Sequence, residues 1–327
     1  MAAERATLDY RLGLALSGGA VRGAAHIGVL RALRELDVRP DIICGTSSGA
    51  LVGTMWSMGL KDEEMRQAML DFSPLSLWYT NWSGPSLLDP SSFTSHWAEL
   101  LAGELEDGTP PVWVVATDLQ SGEPILMFSG ARLPALQASC ALAPFWPPVS
   151  VGERLLFDGG YSLNVPVEPI RSLCQTVIAV DVNPHYTADD GCCRSSWRVF
   201  NRGMEIVGRR SNERSLALAD VVVEPEDLHR FDPLDTRHVS DVEDLGYRAA
   251  HAQIGPIAQQ LRRGVVPEQH RRRPRPRPLR SMVVPNPPAL VRKERRGGSL
   301  GWWMVGAGLL GAGLYLEGSR RQRRRRG

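Results

Sequence analysis

The sequence predicts an α/β fold with parallel strands, and three observations carry the prediction. Twice within the first 60 residues a short apolar run passes through a glycine-containing turn into a segment with helical spacing of apolar residues, the alternation from which parallel α/β layers are built. Further short apolar runs and helical segments follow as far as residue 261. The composition, 43% hydrophobic and 23% charged over 327 residues, suits a globular core and excludes wholesale disorder.

The elements follow in order. Arg11 to Ser17 (RLGLALS) is a short apolar run ended by glycines and predicts a buried strand. Ile27, Leu30, Leu33 and Leu36 recur at helical spacing and predict a helix over Gly23 to Leu36. Asp41 to Cys44 predicts a second strand and Ala50 to Leu60 a second helix. Later strands are expected at Val112–Thr117, Ile125–Phe128, Arg154–Phe157, Thr176–Val182 and Asp220–Val223. Later helices are expected at Asp62–Asp71, Ser92–Ala102, Leu133–Ala141, Ser196–Leu218 and Val242–Leu261.

The net charge of +2 hides two opposed parts. From Arg262 onward 18 Lys and Arg face 3 acids, whereas residues 1–261 carry 20 against 33. The first part suits a folded acidic domain over residues 8–261, and the second seeks an anionic partner. Residues 262–299 (RRRPRPRPLR, then VVPNPPAL) predict an extended Pro/Arg-rich linker. A chain shortened near Gln260 is therefore expected to stay soluble and active on dispersed substrate.

Residues 300–316 (LGWWMVGAGLLGAGLYL) form a charge-free segment, close to the lower limit of roughly 17 residues for crossing a bilayer. Trp302, Trp303 and Tyr315 lie near its ends, where interfacial aromatics are favoured. Its five glycines weaken a helix in water and are tolerated in membranes. Arg292, Lys293, Arg295 and Arg296 precede it, and an Arg-rich tail (317–327) follows. Spanning carries six arginines across the bilayer, against the positive-inside tendency. Shallow interfacial insertion held by both basic flanks therefore stands beside a transmembrane helix. Residues 1–10 contain acids and no apolar h-region, so no secretory signal is seen. The expected location is a cytoplasmic domain attached to a membrane. RNA is the less favoured anionic partner, because the basic stretch lacks interleaved aromatics.

Five cysteines (Cys44, Cys140, Cys174, Cys192 and Cys193) without regular spacing do not form a disulfide framework. The pair Cys192-Cys193 near His185 lacks the spacing of structural zinc. No metal or cofactor is expected.

Three stretches carry chemistry. Gly45-x-Ser47-x-Gly49, between a strand and a helix, has the form of a nucleophile elbow. There a strained turn exposes the serine Oγ, and the flanking glycines let backbone and helix pack closely. Ser17-Gly18-Gly19-Ala20-Val21-Arg22-Gly23, also between a strand and a helix, suits backbone donation to a negatively charged oxygen. A dinucleotide loop is one reading, but Ala20 replaces the middle glycine of GxGxxG; an oxyanion hole is the other. Asp158-Gly159-Gly160 follows the strand RLLF and reads either as a carboxylate held against another backbone or as an ordinary turn.

In combination these stretches resemble the patatin-like phospholipase family in its bacterial form. The resemblance rests on GLALSGGAVRGAAHIGVLRAL (13–33), GTSSGALVG (45–53), ATDLQSGEP (116–124), ASCALAPFWPPV (138–149) and LLFDGGYSLNVPV (155–167), in order, over roughly residues 10–225. It implies a three-layer α/β/α fold and a dyad of Ser47 as nucleophile and Asp158 as base. It also implies an oxyanion hole from Gly18, Gly19 and Ala20, with Arg22 at the family's basic position and Gly23 closing the loop. Ala20 departs from the glycine many members carry. The substrate implied is a phospholipid or lysophospholipid.

The dyad makes a physical demand. An ordinary aspartate, with a pKa near 3.9, is a poor base for a serine, so Asp158 has to sit in an apolar cleft that raises it. The rival arrangement is a Ser47–Asp158–His185 triad, and a second rival is a non-catalytic adaptor that binds membrane or nucleic acid. His26 reads as a packed, hydrogen-bonded histidine and Asp118 as a turn residue. Trp78, Tyr79, Trp82, Phe145 and Trp146 line either an acyl-chain cleft or the core.

Overall fold

Alternating side chains of the first strand are buried on both of its faces, which requires a layer on each side of the sheet. The computed structural model describes residues 9–72, 90–183, 196–263 and 280–285. Its strands are β1 (Tyr10–Leu16), β2 (Ile42–Thr46), β3 (Val112–Asp118), β4 (Pro124–Gly130), β5 (Val149–Val151), β6 (Arg154–Asp158), β7 (Cys174–Val180), β8 (Val221–Val223) and β9 (Arg280–Val284). Its helices are α1 (Ala24–Glu35), α2 (Ser48–Ser57), α3 (Asp62–Asp71), α4 (Pro90–Trp97), α5 (Arg132–Ser139), α6 (Glu168–Arg171), α7 (Ser196–Leu216), α8 (Val239–Ile254) and α9 (Ala258–Arg262).

The architecture is a three-layer α/β/α stack. Leu12, Leu14 and Leu16 of β1 pack with Ile27, Leu30 and Leu33 of α1, Val52 and Met55 of α2 and Val242 of α8. Ala15 of β1 faces the other way, with Val177 and Ala179 of β7, Ile170 of α6 and the end of α7 at Leu216. α1 and α8 approach closely because neither has a side chain at the crossing. A Cβ on Gly28 would lie 2.0 Å from Glu243 O, and one on Gly246 would lie 2.0 Å from Ala25 O. Glu243, 1% exposed, is neutralised there by Arg31 and Arg66.

The sheet is mainly parallel. β2, β1, β7 and β8 run parallel in that spatial order, and β2 is parallel to β3. β3 has three partners. It pairs β2 over Val112–Val115, β6 over Ala116–Asp118 and β4 over Val114–Thr117. β4 overlaps both of the others, so β2 and β6 share the opposite edge of β3, one after the other. Their C-terminal ends meet there, since Thr46 pairs with Val115 and Asp158 with Ala116.

Most elements match expectation within a few residues. The helix expected over Val242–Leu261 is interrupted by a 3-10 turn at Gly255–Ile257, where Pro256 cannot continue the hydrogen-bond ladder. β5 and α6, three and four residues long, were not expected; each is too short for a periodic signal. The expected linker requires correction. Within residues 262–299, Arg280–Val284 is β9, which runs parallel to β4 with Val284 1% exposed. The sheet therefore draws on chain beyond the limit expected at residue 261. Residues 300–316 and the Arg-rich tail lie outside the described residues. Among the described residues, no helix is long and apolar enough to cross a membrane.

Candidate active site

β3 aligns the two side chains singled out by the sequence. Ser47 follows the last residue of β2, and Asp158 is the last residue of β6. Because those strand ends abut along β3, the two residues meet although they are far apart in sequence. Ser47 Oγ donates to Asp158 Oδ2 at 2.8 Å.

The turn at Ser47 has a local cause. Ser47 has φ 52° and ψ −122°, in the positive-φ region that non-glycine residues seldom enter. The strand has to reverse into α2 within one residue, and the neighbouring backbone closes in on both sides. A Cβ on Gly45 would lie 2.5 Å from Ala50 Cα, and one on Gly49 would lie 2.4 Å from Leu16 O. Ser47 N–H donates to Ser139 Oγ at 2.8 Å, and Ser139 Oγ donates to Val115 O at 2.6 Å. Ser139, at the end of α5, thus ties the elbow to β3. α2 begins at the next residue, so its N-terminal partial positive charge lies beside the hydroxyl.

Asp158 is 5% exposed. Burial pushes its pKa up to about 6, while the N–H of Gly160 and the hydroxyl of Ser47 pull in the other direction. Asp158 Oδ1 accepts from Gly160 N–H at 2.7 Å, which leaves Oδ2 to the serine. Beside them, burial and the charge of Asp158 push the Cys140 thiol up, so it stays neutral. The result is a carboxylate that is ionised at neutral pH and basic enough to take a serine proton.

The glycine loop lies across the same cleft, which has a volume of about 600 Å³ and is lined by Ser47, Asp158, Gly18, Gly19, Ala20 and Arg22. Its residues differ in what they leave free. Gly18 N–H donates to Asn164 O at 3.2 Å, so it is already engaged. Arg22 N–H donates to Gly19 O, and the Arg22 side chain bonds Phe231 O and Glu205. Gly23 packs on Ser48, where a Cβ would lie 2.4 Å away. The N–H groups of Gly19 and Ala20 find no acceptor among the described residues. Of the five expected loop residues, these two carry the available donors. Ala20 reaches this position with φ 51°.

Other expectations are resolved by contact. His26 is fully buried, and its Nε2–H donates to Ser17 O at 2.8 Å; burial lowers its pKa to about 4. Asp118 closes a turn, accepting from the N–H groups of Gln120 and Ser121 and pairing with Arg154. Phe145 lines the cleft, and Trp146 packs behind it against Phe72. Trp78, Tyr79, Trp82, His185, Cys192 and Cys193 lie outside the described residues. Among the described residues no group of His, Cys, Asp or Glu is arranged to hold a metal ion. Sequence reasoning passed over Ser139, Asn164, Asp181 and Asn183. Ser139 and Asn164 sit inside the matching stretches, yet a lone Ser or Asn carries no spacing signal.

The chain is similar to known proteins. The family model described as "Patatin-like phospholipase" matches residues 14–171. The patatin-like phospholipase domain-containing protein ZK370.4 of Caenorhabditis elegans is 36% identical over 181 residues, which cover 52% of this chain and 13% of that protein. Lysophospholipase NTE1 of Saccharomyces cerevisiae is 29% identical over 206 residues, covering 58% and 12%. Neuropathy target esterase sws of Drosophila melanogaster is 28% identical over 188 residues, covering 54% and 13%. The chain thus spans 12–13% of the length of these relatives. Among solved structures, VipD from Legionella pneumophila superposes with a TM-score of 0.47 at 12% identity, over 76% of this chain and 67% of that one.

Proposed function

The chain belongs to the patatin-like phospholipase family through residues 14–171, and from that premise we propose that it is a serine lipid acyl hydrolase acting on phospholipids or lysophospholipids. The observation that carries the reading is the direct 2.8 Å contact between Ser47 Oγ and a buried Asp158, raised to about 6. The relatives named as lysophospholipase and esterase support the substrate class.

The geometry supports one course for the proposed reaction. Ser47 Oγ attacks the acyl carbon as its proton passes to Asp158 Oδ2. The carbonyl oxygen gains the charge, and the N–H groups of Gly19 and Ala20, aided by the start of α2, stabilise it. Collapse breaks the ester bond, and the leaving alcohol takes the proton from Asp158. Water then attacks the acyl-Ser47 ester as Asp158 takes its proton, and collapse breaks the acyl–Oγ bond, releases the fatty acid and returns the proton from Asp158 to Ser47 Oγ. A triad histidine has to stand between serine and aspartate, and two oxygens 2.8 Å apart leave no room for an imidazole. This contact favours the dyad over a triad through His185. Intact Ser47 and Asp158 also speak against a non-catalytic adaptor.

Attachment to an anionic membrane through residues 300–316 and the flanking arginines is part of the same proposal. Its support is the charge-free 17-residue run between two basic clusters.

The test is hydrolysis of p-nitrophenyl fatty esters and lysophospholipids by the wild type and by Ser47→Ala. The wild type is expected to release fatty acid, and the variant to lose at least about a thousandfold in kcat. Equal rates for the two proteins overturn the reading.

A further inference from the structure

The two donors of the glycine loop that find no acceptor among the described residues need something to aim them, and the loop's backbone strain makes that requirement sharper. A trans peptide is planar, with its C=O and the next residue's N–H pointing in opposite directions. The Gly19 N–H therefore points wherever the Gly18 carbonyl does not. That carbonyl accepts a hydrogen bond from Asn183 Nδ2 at 2.6 Å. A carbonyl only accepts, so the amide nitrogen of Asn183 has to be the atom that faces it. The Gly18 N–H is fixed as well, on Asn164 O at 3.2 Å. With both ends of Gly18 tied, the Gly18–Gly19 peptide cannot turn over.

Asn183 is itself held. Its backbone N–H donates to Asp181 Oδ1 at 2.9 Å, and Asp181 Oδ2 accepts from Asn212 Nδ2 of α7 at 3.0 Å. Asp181 and Asn212 are 2% and 6% exposed, so this clamp works away from competing water. Ser17, the residue before Gly18, receives the Val182 N–H on its Oγ at 3.0 Å and the His26 ring N–H on its carbonyl. The turn after β7 and the start of the glycine loop are thus fastened to each other at two successive residues, Ser17 and Gly18, leading up to the peptide whose orientation matters.

We propose that Asn183 is the positioning residue of the oxyanion hole, turning the Gly19 N–H toward the oxyanion by holding the Gly18 carbonyl away from it. This inference rests on the reading of Ser47 as nucleophile. Asn183 itself touches neither the nucleophile nor the base, so it acts only through the peptide. Without it, the Gly18–Gly19 peptide gains a second orientation in which a carbonyl oxygen faces the developing negative charge.

The test compares Asn183→Leu, which removes the donor, and Asn183→Asp, which keeps the shape and sets an acceptor against the carbonyl. The wild type and Ser47→Ala serve as references on a soluble p-nitrophenyl ester. Both Asn183 variants are expected to lose about tenfold or more in kcat with KM within twofold of wild type, since a single oxyanion donor is worth about 10²–10³ in kcat. The inhibition constant of a trifluoromethyl ketone, whose serine adduct carries the oxyanion, is expected to weaken by the same factor. Should Asn183→Leu fail to fold, Asn183→Asp alone carries the test. A folded Asn183 variant with wild-type kcat overturns this inference, as does a loss that falls on KM alone. If Ser47→Ala keeps activity, the hydrolase reading itself fails, whatever the Asn183 variants do.

Discussion

In the proposed reaction one buried carboxylate bears on a rate as well as on stability. Asp158 is lifted from 3.8 to about 6 by burial, so kcat/KM is expected to rise with pH through about 6 and then level off, as the base loses its proton. The same shift acts on folding. A carboxyl whose folded pKa is raised carries no penalty below pH 4, where it is protonated in both states, and the penalty grows as pH rises to about 6. Above that it costs on the order of 3 kcal/mol. Asp158→Asn, able to accept from Gly160 and donate to Ser47, is expected to be inactive yet to melt about 5 °C or more above wild type at pH 8. The gain should disappear at pH 4. Thermal melts at the two pH values check it, and an equal shift at both removes burial of charge as the cause. Ser47 and Asp158 could be singled out in the sequence because glycines flank them where backbone approaches closely, at Gly45 and Gly49 beside the serine and at Gly159 beside the carboxylate. Ser139 and Asn183 were not, because a single polar side chain that braces another segment leaves no periodicity or spacing.

At the scale of elements, β3 does the assembling. It accepts β2 and β6 end to end on one edge, and that arrangement brings the serine and the carboxylate together. Apolar runs predicted each of these strands within a residue or two, but an apolar run does not say which neighbour it pairs with. β9 is the converse case. Prolines and arginines dominate the stretch around it, so its few apolar residues, Met282 to Val284, were absorbed into an expected linker. In the fold they cover the edge of β4, and Val284 is buried. The chain ended at Gln260 is therefore expected not to be the stable, active domain that composition suggests. It should melt lower or aggregate through the bared edge of β4, whereas a chain ended at residue 287 should keep the wild-type melting temperature. Equal melting of both forms leaves β9 without a structural role.

For the whole molecule, the opposed charges of the two parts point to a division of labour. Removal of residues 290–327 is expected to abolish flotation with anionic vesicles while leaving hydrolysis of a soluble ester within about twofold. Salt should weaken the binding of the full chain, since a screened surface attraction contributes to it. Unchanged flotation after the deletion places the membrane contact in the folded domain. The sequence by itself determined the layer type and the split in charge, because each is written in local periodicity or composition; glycine spacing marked Ser47 as a candidate nucleophile, and Asp158 entered as its partner only through the resemblance across five stretches. Only the tertiary structure decided that the serine and the carboxylate touch, that two of the five loop residues keep donors with no acceptor among the described residues, that Asn183 bonds the loop carbonyl and that β9 pairs with the edge of β4. Each of these depends on pairings between segments far apart in the chain, which are selected by burial and hydrogen-bond satisfaction over the whole fold rather than by any local pattern.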